Sequence, residues 1–180
     1  MAAAIDNLKD EHEAILSGLQ ILSSITLRID RKLDIEKRDI WNLVTFMKDF
    51  ADTCHHGKEE GILFPALVKA GIPQKGGPVG VMLAEHTQGR AIMKAMNAAV
   101  TGAPDYPKFK QTAGEYAALL RAHIDKENTV LFPMAEKSLS AEQLGQIHAG
   151  FEQHEQKVMG PARHAELTEM LRKLKQKYPV

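Results

Sequence analysis

Histidine and glutamate side chains at a repeated spacing are the groups in this sequence that could do chemistry. An eleven-residue phrase occurs twice, beginning at His55 as HHGKEEGILFP and at His123 as HIDKENTVLFP. Both copies read His-x-x-Lys-Glu and continue to Leu-Phe-Pro, with Glu59 and Glu127 four residues after the histidine. On a helix, residues four apart lie one above the other on the same face. An imidazole and a carboxylate presented together, twice in one chain, predict two halves of a metal site.

The first copy contains a second pair, His56 and Glu60, in an overlapping register. The helical stripe that leads from Val44 to His55 is largely apolar, whereas the stripe through His56 is polar throughout. Periodicity therefore predicts that His55 faces the core, and that His56 and Glu60 lie at the rim of the site or in solvent. Alignment of the two copies on Leu-Phe-Pro leads to the same choice.

Two further histidines, His12 and His86, lie on apolar stripes of other segments. A buried neutral imidazole needs partners for both ring nitrogens, and a metal ion supplies one of them. Arg90 stands four residues after His86 and is expected to pair with a buried carboxylate. The candidates for that carboxylate are Glu59, Glu60 and Glu85.

Four helices must position these residues. Apolar residues at three- and four-residue steps predict helices over about 5–28, 39–68, 78–101 and 107–136. The connections between them are short, and two are rich in Gly and Pro, so the helices are expected to be antiparallel neighbours. The predicted fold is all-α, an up-down-up-down four-helix bundle over residues 1–137. The Phe-Pro of each repeat should kink or bend its helix just past the site.

The remaining residues, 138–180, are predicted to form a C-terminal helical extension that packs on the bundle. Ser140 and Gln143 are expected to cap a fifth helix that runs to about residue 159, before a short basic helix. A fourth His-x-x-x-Glu pair, His148 and Glu152, lies here without the Lys and Leu-Phe-Pro context. We interpret that pair as a coincidence of spacing.

Composition excludes several classes of partner. Lys and Arg number 23 and Asp and Glu also number 23, which argues against a nucleic-acid surface or a polybasic membrane anchor. Neither a membrane-spanning run nor a secretory signal is expected. The single cysteine, Cys54, cannot form an intramolecular disulfide, which favours a cytoplasmic protein.

The bundle would bring all the candidate ligands into one core. These are His12, His55, Glu59, His86, His123 and Glu127. Carboxylates and imidazoles in an apolar interior are costly without cations, and this donor set suits iron, with manganese or zinc as substitutes. Two carboxylates from opposing helices are the right number to bridge a metal pair, with two histidines left for each ion.

These motifs together resemble the hemerythrin-like, HHE cation-binding family, over about residues 5–136. The resemblance implies an antiparallel four-helix bundle around a non-haem di-iron centre with an oxo or hydroxo bridge. It also implies that Glu59 and Glu127 bridge the two irons. The terminal ligands implied in the same way are His12, His55, His86 and His123.

The chain departs from the oxygen-carrying hemerythrins of that family at two positions. They carry a second histidine on the third helix, where this chain has Arg90, and a bridging aspartate five residues after the fourth-helix histidine, where it has Glu127 after four. One terminal nitrogen is therefore missing. Either one iron keeps an open or water-filled position, or His56 turns in to replace the nitrogen; we expect the open position. Glu60, Glu85 and Arg90 remain candidates for additional ligands or for the surroundings of the ligands.

The function predicted first is the binding of a small ligand, such as dioxygen, nitric oxide, peroxide or another anion, in sensing, redox chemistry or stress response. The alternatives are a di-iron oxidoreductase with peroxidase-like or nitric-oxide-directed activity, and an iron- or oxygen-dependent regulatory module. A ferritin-like oxidase is disfavoured because the sequence has no Glu-x-x-His motif.

Overall fold

The computed structural model describes residues 3–179, and this part of the chain is all-helical, with no strand. The predicted all-α class is therefore confirmed. Six helices follow in order: α1 (Ala3–Asp30), α2 (37–69), α3 (Pro78–Val100), α4 (106–138), α5 (Ala141–Val158) and α6 (Gly160–Lys177). None of them is long and apolar enough over residues 3–179 to cross a membrane.

Helices α2 and α4 change from α to π geometry where they carry the repeated phrase. Helix α2 consists of α-helix Lys37–Phe46, π-helix Met47–His56, π-helix Glu59–Leu63 and α-helix Phe64–Lys69. Helix α4 consists of α-helix Tyr106–Lys126, π-helix Glu127–Leu131 and α-helix Phe132–Ser138. The irregularity expected near each Phe-Pro is thus a π turn that ends at the preceding leucine.

Proline explains why the π turn appears at the same place in both helices. A proline has no N–H, and its ring clashes with the carbonyl four residues earlier in an α-helix. A π turn bonds each N–H to the carbonyl five residues back and so widens the backbone there. The N–H of Phe64 donates to the carbonyl of Glu59, and the N–H of Phe132 donates to that of Glu127. The repeat therefore specifies the backbone around each glutamate.

The interior is divided into two apolar clusters with a polar layer between them. In α1, Ile5 and Leu8 belong to one cluster and Ile15 and Leu19 to the other, and His12 lies buried between them. Helix α2 repeats the arrangement around its own histidines and glutamates, which lie between Ala51 and Leu63. The clusters hold the polar layer from both ends and keep water away from it.

Both C-terminal helices contribute to these clusters. Helix α5 adds Leu144 and Phe151 to the cluster that contains Leu8, and α6 adds Leu167 to the cluster that contains Leu19. As predicted, α5 opens with a capping box, in which Ser140 and Gln143 satisfy each other's backbone N–H groups.

Candidate metal centre

The polar layer contains two groups of four buried residues whose ligand atoms all lie within 4.8 Å of one another. One group, here called the His12 group, comprises His12, His55, Glu59 and Glu127. The other, the His86 group, comprises His56, Glu59, His86 and His123. The structure therefore brings together all six residues that the sequence singled out as ligands, and adds His56.

The two glutamates stand between the groups. Oε2 of Glu127 lies 3.2 Å from Nε2 of His12 and 3.2 Å from Nε2 of His123. Oε2 of Glu59 lies 3.8 Å from Nε2 of His55 and 3.4 Å from Nε2 of His86. Each carboxylate thus faces one imidazole from each group, which is the placement that a ligand shared by two ions requires.

The expectation that His56 lies at the rim or in solvent is wrong. His56 is 3 % exposed, and its ring stacks on that of His86 with the centroids 3.8 Å apart. The prediction assumed α geometry, in which adjacent residues point about 100° apart. The backbone from Met47 to His56 is a π-helix, whose wider turn allows both His55 and His56 to face the core.

The carboxylates and one imidazole nitrogen have no adequate hydrogen-bond partner. Both carboxylate oxygens of Glu59, both of Glu127 and Nε2 of His12 are buried without a well-directed hydrogen bond. Buried polar groups are nearly always satisfied, and a buried carboxylate is costly unless it is paired or bound to a metal. These unpaired atoms converge on the space shared by the two groups, so the donor set fits metal cations.

Charge within the layer is arranged around the carboxylates. Burial raises the pKa of Glu127, but the imidazoles of His123 and His12 outweigh burial and hold the pKa well below its ordinary value. Burial lowers the pKa of His123, but Glu127 outweighs that effect and raises it to about 9. His56 differs, because burial and the neighbouring imidazoles keep its pKa well below the ordinary value. A metal ion would therefore displace a proton from His123 on binding, whereas the His56 ring is already neutral.

Comparison with known protein families agrees with this geometry. The model of the hemerythrin HHE cation-binding domain matches residues 3–135. The chain belongs to the hemerythrin HHE family. Domains of this family bind metal ions, typically iron, and both groups of ligands are compatible with that property. No curated protein and no solved structure gives a significant match.

In this hemerythrin-family chain, each of the five imidazoles is held at Nδ1 by an acceptor outside the two groups. The pairs are His12 with Asn128 (3.0 Å), His55 with Glu11 (2.8 Å), His56 with Asp52 (3.3 Å), His86 with Glu60 (2.7 Å) and His123 with Glu85 (2.9 Å). Such partners fix the ring orientation and make the other nitrogen a better ligand. In every ring, Nε2 is left for the centre.

The lysine of each repeated phrase binds the carboxylate that holds the histidine of the same phrase. Lys58 binds Glu11, which accepts from His55, and Lys126 binds Glu85, which accepts from His123. Neither lysine was predicted from the sequence to have a role at the centre, and nor was Glu11. A signal for Glu11 was present, because Glu-His occurs at residues 11–12 and again at 85–86.

Arg90 performs the same task for the other two carboxylates. Its guanidinium donates to Asp52 and to Glu60, each over 2.7 Å. The expected partnership with Glu60 is therefore present, whereas Asp52 was not among the candidates. Arg90 is 41 % exposed and lies on the outer side of His56 and His86. Since His56 joins His86 and His123, the group beside Arg90 already contains three imidazoles.

Proposed function

We propose that this protein holds a pair of iron ions bridged by Glu59 and Glu127. One ion takes its terminal nitrogens from His12 and His55, and the other takes them from His56, His86 and His123. The observation that carries the proposal is the position of the two glutamates, each facing an imidazole of both groups. Manganese or zinc could occupy the same donor set.

We further propose that the ligand-bearing helices form the antiparallel up-down-up-down bundle of the family, in a cytoplasmic protein. Support for that compartment comes from Cys54, which is buried and has no partner cysteine.

The centre is proposed to bind or react with a small ligand such as dioxygen, nitric oxide or peroxide. An iron pair supplies redox chemistry and positions for such a ligand when it is bound. The His12 group offers two imidazoles and the His86 group offers three, so the ion in the His12 group has more positions to spare. This reverses the sequence-based expectation, which placed the open position beside Arg90.

The protein's own residues prepare the centre. The hydrogen bonds at Nδ1 orient the imidazoles before an ion arrives. The apolar clusters on both sides exclude water from the glutamates, which strengthens their interaction with cations. Partly exposed Asp52 and Glu60 connect His56 and His86 to the surface at Arg90.

Metal analysis combined with optical spectra tests the proposal. Protein purified from iron-replete cells should contain about two iron ions per chain, because the ligands divide between two groups. The reduced protein should change its spectrum on exposure to air, and azide should bind the oxidised centre. Glu127→Gln should lose metal, whereas Glu152→Gln, an exposed carboxylate on α5, should retain both ions. One ion or none after reconstitution of the unaltered protein would contradict the proposal.

A further inference from the structure

The two lysines of the repeated phrase have different surroundings. Lys126 is 39 % exposed and binds only Glu85 among residues 3–179. Lys58 is 1 % exposed, and its ammonium has three acceptors, Asn7, Glu11 and Glu155. An ammonium has three N–H donors, so all of them are used.

One of these acceptors comes from outside the family domain. The family model ends at residue 135, and Glu155 lies on α5, with its carboxylate 2.8 Å from Nζ of Lys58. The ring of Phe151, also on α5, lies beneath the same ammonium at 5.9 Å. Helix α5 therefore covers a charged group that is linked to His55 by two hydrogen bonds, one from Lys58 to Glu11 and one from His55 to Glu11.

Helices α5 and α6 also bind α2 at two positions that precede Lys58. Nε2 of His154 bonds the carbonyl of Thr53 over 3.2 Å, and Arg163 donates to Asp49 over 2.7 Å. Helices α5 and α6 thus contact α2 along the turns that carry His55. Nothing comparable is found at Lys126 in the part of the chain that the structure describes.

We propose that Lys58 is a positioning residue of the metal centre and that the C-terminal helices control it through Glu155. Glu155 fixes Lys58, Lys58 fixes Glu11, and Glu11 orients the imidazole of His55. The two repeats are therefore supported unequally: His55 depends, through Lys58, on a segment outside the family domain, whereas Lys126 of the second repeat binds only Glu85 among residues 3–179. This inference rests on the proposed metal function.

Titration of the metal-free protein with Co(II), followed by visible absorption, tests the inference. Outer partners of metal ligands typically change affinity by about 10- to 100-fold. Lys58→Met and Glu155→Gln should each raise the half-saturation concentration by about 10-fold or more. The matched controls are Lys126→Met, the counterpart in the second repeat, which should have a smaller effect, and Glu152→Gln on α5, which should have none.

A double variant separates this mechanism from a general loosening of the C-terminal helices. If Glu155 acts through Lys58, Lys58→Met combined with Glu155→Gln should bind Co(II) no more weakly than Lys58→Met alone. Additive losses would overturn the inference. A Glu155→Gln protein that titrates like the unaltered protein would also overturn it. If the unaltered protein itself binds no Co(II), the proposed function fails instead.

Hydrogen exchange gives a second readout. Coupling between two sites is reciprocal, so an ion in the centre should strengthen the docking of α5. Metal loading should slow amide exchange over Ala141–Val158 in the unaltered protein, and less so in Glu155→Gln. Equal exchange with and without metal in the unaltered protein would contradict the coupling.

Discussion

At the scale of single residues, the centre is defined as much by what holds the histidines as by the histidines themselves. Five imidazoles are each fixed at Nδ1, four of them by carboxylates. A carboxylate on Nδ1 raises the basicity of Nε2 and sets the ring in one orientation. Lysine or arginine then binds each of those four carboxylates, with Arg90 shared between Asp52 and Glu60.

His56 is expected to be as important for metal binding as His86, because both belong to the same group of four. His56→Ala should lose at least one ion per chain, measured by elemental analysis after reconstitution with iron. His148→Ala is the control, since His148 lies outside the centre and pairs only loosely with Glu152 at 3.8 Å. Full metal content in His56→Ala would show that the ring is merely packed beside the ligands.

Arg90 is expected to support the centre rather than to leave a ligand position open. Its planar guanidinium donates to Asp52 from Nε and to Glu60 from Nη2, a geometry with two separate nitrogens that a lysine does not offer. Arg90→Lys should therefore lower the affinity for Co(II) by about 10-fold. Lys94→Met, one turn further along the same exposed face, should leave the titration unchanged. An unaltered affinity in Arg90→Lys would show that the two carboxylates hold their histidines without help.

The sequence singled out both buried glutamates of the polar layer and four of its five imidazoles because their spacing is helical and, for the phrase, repeated. It offered His56 only as the alternative to an open position, since the choice between His55 and His56 depended on the turn angle of a backbone that is not α-helical there. Glu11 was missed because its contact with His55 depends on how α1 packs against α2, which the sequence alone does not specify. Asp52 lies four residues before His56 on the same helix, and it was missed because that polar stripe was expected to lie at the rim or in solvent.

At the scale of elements, the π segments of α2 determine which residues face the core and which face α5. Gly57 lies between the two π segments, and a Cβ built there would lie 2.5 Å from Nε2 of His154. Any larger residue at this position would therefore displace the side chain of His154, which packs directly on the backbone of α2.

Gly57→Ala should be less stable than Gly61→Ala by about 1 kcal/mol, since His154 must move and give up its bond to the carbonyl of Thr53. Gly61, one turn later in α2, is open to solvent, and a Cβ added there would meet no atom within 4 Å. Gly61→Ala should accordingly be neutral or stabilise by up to about 1 kcal/mol. Thermal and urea unfolding of the two variants would measure the difference. Equal stabilities would show that the His154 side chain moves away at no cost in free energy.

At the scale of the whole molecule, the chain is organised as two similar halves. Helices α1 and α3 each contribute Glu-His, and α2 and α4 each contribute His-x-x-Lys-Glu. The glutamate of each Glu-His holds the first histidine of the phrase that follows it in the chain, Glu11 with His55 and Glu85 with His123. This pairing could be read from the sequence only in part, because the repeat of Glu-His is too short to stand out alone.

The position of Glu59 and Glu127 between the two groups has a consequence for the order in which ions enter. The first ion to bind should orient both carboxylates. The second ion then binds to side chains that have already lost their conformational entropy. Filling should therefore be cooperative, with few chains that carry a single ion. Native mass spectrometry at one Co(II) per chain should show mainly metal-free and doubly loaded protein. A majority of singly loaded chains would mean that repulsion between the two cations exceeds what the shared glutamates contribute.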